Sequence, residues 1–124
     1  MNDKLLIEEI RANPERYGLT GRYYPTVMLL NGIDVAQSRG FFRGFAEWLC
    51  VQRQELSSCG WYTEIFREAV PEVDPSDWRG PLTPEQDQRA LDLMFTRVLE
   101  FLTVRNNREA LLRMYGDFRT LRGR

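Results

Sequence analysis

Histidine is absent from this 124-residue chain. That removes most zinc sites, the Ser–His and Cys–His nucleophile pairs and the commonest general base. Lysine is nearly absent as well. Lys4 is the only one, and the other sixteen of the seventeen basic residues are arginine. Arginine is the better residue for bidentate pairing, but a GC-rich coding sequence produces the same bias. The two cysteines, Cys50 and Cys59, form no CxxC and are too few for a disulfide scaffold. No run approaches the roughly 18 apolar residues of a membrane span. The short apolar run Leu5-Leu6-Ile7 is closed at once by Glu8-Glu9, unlike a secretory leader. The expectation is therefore a cytoplasmic protein with reduced, buried thiols and no membrane partner. Nine glycines and six prolines are too few for a low-complexity chain. Neither G-x-x-x-x-G-K-[ST] nor G-x-G-x-x-G occurs, and neither does a D-x-D-x-D-G loop or an E-x-x-H helix. No cofactor and no metal site is expected.

What is present is a globular balance, 43% apolar and 28% charged. The length suits one domain, residues 1–124. Hydrophobic spacing is helical nearly throughout, with no polar–apolar alternation bounded by hairpin turns. Six helices are predicted: from Asn2 or Asp3 to about Ala12, Pro25 to Gln37, Phe41 to Leu56, Trp61 to Val70, Pro84 to about Arg105, and Arg108 to Leu121. The second has a predicted apolar face of Met28 or Leu29, Leu30, Ile33 and Ala36. Thr83, Pro84, Glu85 and Gln86 make the clearest helix start, an N-cap, a first-turn proline and a capping box. The helix that follows is apolar almost all round, which marks it as central. Residues 71–83 hold three prolines and are read as irregular. The fold class is an all-α, compact single domain, bundle-like or orthogonally packed.

Charge is uneven along the chain although the net is only −1. Residues 64–104 carry nine acids against four bases, and residues 105–124 carry six arginines against two acids. The acidic set Glu64, Glu68, Glu72, Asp74, Asp77, Glu85 and Asp87, with Trp78 among it, is the candidate partner-binding surface. Complementary charge would steer a basic partner onto it. The same acids also read as solvating charges, with Glu85 and Asp87 favouring a helix N-terminus. Trp78 reads either as an exposed anchor for a partner or as a ring pinning its own loop. Arg113, Arg119, Arg122 and Arg124 read as complements to a helix dipole, or as phosphate holders in a helical adaptor. With a net charge near zero the second is disfavoured, and nucleic acid is not an expected partner. A carboxylate-based enzyme is a further alternative, although no spacing argues for one and no catalytic residue is assigned.

Several segments also carry a resemblance: Ile10–Gly18, Leu29–Ala36, Gly44–Leu49, Trp61 with Ile65, Leu99–Leu102 and Met114-Tyr115. Together they resemble small all-helical proteins common in actinobacteria that look like immunity proteins of polymorphic toxin systems. The resemblance spans most of the chain. It implies a binder that neutralises a cognate toxin domain by occluding its active site, and it carries no site residue with it.

Overall fold

A computed structural model describes residues 2–124. Six α-helices account for the architecture: α1 (Asp3–Ala12), α2 (Tyr23–Ala36), α3 (Phe45–Arg53), α4 (Trp61–Ala69), α5 (Pro84–Arg105) and α6 (Arg108–Arg122). Short 3-10 turns occupy Pro14–Tyr17 and Pro75–Asp77, and the described residues contain no strand. The 22-residue α5 is the hub, touching α1, α2, α3, α4 and α6. The predicted all-α single domain is the observed one.

Local chemistry explains most of the ends. Asn2 accepts the Leu5 N–H at 2.8 Å and starts α1. Asn13-Pro14 ends that helix, since the residue before proline avoids the helical region. Thr83 and Gln86 form the full reciprocal capping box on α5, as read from the sequence. Asn107 accepts the Ala110 N–H at 3.0 Å and opens α6.

Two helices depart from the expectation. α2 starts at Tyr23 rather than Pro25, and its buried face is Tyr23, Thr26, Val27, Leu30 and Asp34. Of the alternatives Met28 and Leu29, Met28 is 48% exposed and Leu29 is half-buried on the core, while Ala36 is exposed. α2 is apolar on nearly every side, so spacing alone could not select a face, and packing on α5 selected it. Pro25 still lies in the first turn, where its missing N–H costs nothing. α3 is shorter than predicted. Gly44, with φ +91°, and Gln54, with φ +54°, hold left-handed conformations that stop the helix at either end. Phe41 and Phe42 therefore lie in a turn, yet both are buried.

The core is aromatic. Phe42, Phe45, Trp48, Trp61 and Phe101 form one continuous set of ring contacts with centroids 4.7–6.1 Å apart. Burial of each such ring contributes about 2 kcal/mol before entropy is counted. Of the two thiols, Cys50 is buried in α3, whereas Cys59 is exposed on the loop before α4, so the expectation of two buried thiols holds for Cys50 alone.

Candidate functional site

The eight residues singled out in the acidic middle do not form one surface. Two of them are buried scaffold. Asp87 is 6% exposed and accepts the Tyr23 N–H at 2.8 Å. It thus caps the start of α2 from α5, where Arg22 supplies no side-chain cap of its own. A carboxylate is the favoured group at that positive helix end. It also keeps its expected place in the first turn of its own helix, α5.

Glu64 is 7% exposed and tied to three partners. Ser57 donates to it at 2.7 Å, Arg67 at 2.6 Å, and Arg53 pairs with it from the end of α3. Burial pushes its carboxyl up, but these hydrogen bonds and the charges of Arg53 and Arg67 more than offset that, and its pKa is lowered. Glu64 lines a small recess with Cys50, Arg53, Ser57, Cys59 and Trp61. A carboxylate locked in its charged form between two guanidiniums is a clamp for the α3–α4 loop and is poorly set up as a proton donor.

The remaining acids lie at the surface. Glu68 pairs with Arg97 at 3.1 Å. Glu72 pairs with Arg89, and its carboxyl is lowered to about 2, first by the Arg89 hydrogen bond. Glu85 approaches the same Arg89 at 4.0 Å and is otherwise open, with 85% of its side chain exposed. Asp74 accepts the Ser76 N–H at 2.9 Å and fixes the 75–77 turn, contacts that lower its pKa. Asp77 is exposed. Part of the negative charge counted along the sequence is thus paired in space, by Arg53 and Arg67 at Glu64 and by Arg89 and Arg97 reaching across from α5, whereas Asp74 and Asp77 meet no base among the described residues.

Trp78 pins its loop. Its ring lies against Tyr62 at 4.6 Å, Tyr24 at 5.3 Å and Tyr23 at 6.3 Å, with the Arg79 guanidinium over it at 5.8 Å. It is half-buried. The irregular segment 71–83 is consequently held at Asp74, Trp78 and Glu72 and presents Asp77 and Glu85 at its rim.

Sequence reasoning missed two residues that organise this arrangement. Asp34, 8% exposed, accepts the Phe42 N–H at 2.8 Å. Arg105 donates to the Phe41 carbonyl at 2.8 Å and to Asp3 at 2.7 Å. Asp34 carries a signal, because it is the one charge in an otherwise uncharged helix. Arg105 carries none.

A second cleft lies where α1, α2 and α5 meet, with Arg11, Leu19, Asp92 and Phe95 on its walls. Among the described residues no group of three or more Cys, Asp or Glu is placed to hold a metal ion. No described helix is long and apolar enough to cross a membrane. No family model, curated protein or solved structure matches this chain.

Proposed function

We propose that this chain is an immunity-type binder, acting in the cytosol, that neutralises a partner toxin domain by seating its 68–85 edge over the partner's active-site cleft. One observation supports the reading above all. Residues 71–83 hold no regular structure beyond the short 3-10 turn Pro75–Asp77, yet Trp78 and Asp74 brace them, so the Asp77 carboxylate stands on a preformed support and Glu85 is fixed on the first turn of α5. A braced edge loses little entropy on docking. Exposed carboxylates raise the rate of encounter with a cationic cleft and discourage wrong partners. The surface is narrower than composition suggests: Glu68, Glu72, Asp74, Asp77, Trp78 and Glu85, without Glu64 and Asp87. The function asks no chemistry of the chain itself, and the charge-locked Glu64 accords with that.

The test is rescue of growth. Each protein encoded beside this chain in its source genome is expressed alone and then together with it. One neighbour should arrest growth, and co-expression should restore it. D77K/E85K should bind that neighbour about tenfold more weakly, mainly through slower association. If no neighbour is toxic, or none is rescued, the reading fails.

A further inference from the structure

The ion pairs of this molecule are unevenly placed, and that points to a second docking face. Among the described residues every salt bridge involves residues before α6: Arg11, Arg16, Arg53, Arg67, Arg89, Arg97 and Arg105 meet carboxylates on α1, α4, α5 and the loops. α6 carries Arg108, Arg113, Arg119 and Arg122, and none of these pairs with a carboxylate. Arg22, Arg39, Arg43 and Arg79 meet no carboxylate either, but they are scattered, whereas α6 gathers four unpaired guanidiniums on one element against its own Glu109 and Asp117.

Three of these arginines share a face. Arg108, Leu112, Arg119 and Arg122 follow one another at intervals of four, seven and three residues, which keeps them on one side of a helix. The opposite side of α6, with Met114 and Leu121, is buried against the body. Leu112 is 61% exposed, more than any other large apolar side chain among the described residues. The face is thus an exposed leucine with arginines on both sides and the half-buried Tyr115 on the same stripe, about 21 Å long at 1.5 Å per residue.

We infer that this face of α6 docks an acidic helix of a partner protein, one with an apolar stripe between its carboxylates. Unpaired guanidiniums select carboxylates, which they hold through paired hydrogen bonds. The leucine decides the class of partner. An apolar centre within a charged rim is the anatomy of a protein–protein contact. A phosphate backbone has no use for it, and the net charge of −1 gives no general attraction to nucleic acid. The face is separate from the 68–85 edge and stands whether or not that edge binds a toxin.

The test uses the full chain, isotope-labelled, and a helical peptide of about 20 residues with leucines on one face flanked by glutamates. Two further probes are the same peptide with alanine for leucine, and a DNA duplex of similar length. NMR titration should move amide signals of residues 108–122 and saturate below about 1 mM. L112D and R119E/R122E should each weaken binding at least about tenfold, and the alanine peptide should bind comparably less well. The control R22E/R39E makes the same charge change away from α6 and should alter affinity by less than about twofold. All these positions are exposed, and unchanged circular dichroism confirms that the variants fold. Absence of saturation, shifts mapping off α6, indifference to L112D, or tighter binding of DNA than of peptide would each overturn the proposal.

Discussion

Asp87 and Tyr23 lie 64 residues apart in the chain, and their 2.8 Å contact sets where α2 begins. The carboxylate takes the first helical N–H of a helix whose own N-cap residue, Arg22, offers it nothing. Asp87→Ala leaves that N–H buried and unpaired. It should destabilise the protein by about 2 kcal/mol, lowering Tm by roughly 8 °C. Asp87→Asn keeps an acceptor and should lose about half as much. Thermal unfolding followed by circular dichroism measures both, and equal stability of wild type and Asp87→Ala would contradict the cap.

Gly44, at the start of α3, lies close under Tyr115 of α6. It sits at φ +91°, and a Cβ there would stand 2.7 Å from the Tyr115 hydroxyl oxygen. Gly44→Ala combines backbone strain with this clash and should cost about 3 kcal/mol. Tyr115→Phe removes the clashing oxygen, so the double variant should recover part of the loss. Urea midpoints of the two single variants and the double variant decide it, and strict additivity would rule the contact out.

Acid should unfold the protein through its lowered carboxylates. The folded pKa of Glu72 is about 2, below its ordinary value of 4.5, and that of Glu64 is also lowered. A depressed folded pKa stabilises at pH values above the unfolded pKa, and the benefit disappears as pH falls through the folded one. Stability should be flat near neutrality and decline from about pH 5 to about pH 2. Glu72→Gln should flatten that acid limb, with its largest difference from wild type above pH 5. Urea denaturation across this range tests the slope.

Trp78 should matter to loop order more than to the core. Trp78→Ala removes the ring set against Tyr23, Tyr24 and Tyr62. For a half-buried ring the expected loss is about 2 kcal/mol. Limited proteolysis should cut within residues 71–83 far sooner than in wild type, while Trp78→Phe stays nearer to wild type. Unchanged cleavage would show that the ring does not brace the segment.

The helices were legible because their signals are local. The capping box at Thr83 and Gln86, the stop at Asn13-Pro14 and the spacing of Leu91, Met94, Phe95, Val98 and Leu102 all act within a turn or two. α2 and α3 were misjudged at their ends for the converse reason. A cap supplied by Asp87 from another helix leaves no trace near Tyr23, and a glycine becomes a stop only when its φ turns positive. The candidate surface suffered from the same gap. Charges counted along residues 64–104 omit the partners that folding delivers, so Glu64 and Asp87 read as surface and are buried. The unpaired state of the α6 arginines was equally invisible, since it depends on which carboxylates lie within reach.

Because α5 touches every other helix, order of synthesis matters. Until residues 84–105 have left the ribosome, Phe42, Phe45, Trp48 and Trp61 can pack only on one another, and α1 and α2 lack the helix they bury against most. A nascent chain arrested short of that point should be open to chaperones and proteases, and folding should begin only when the hub arrives.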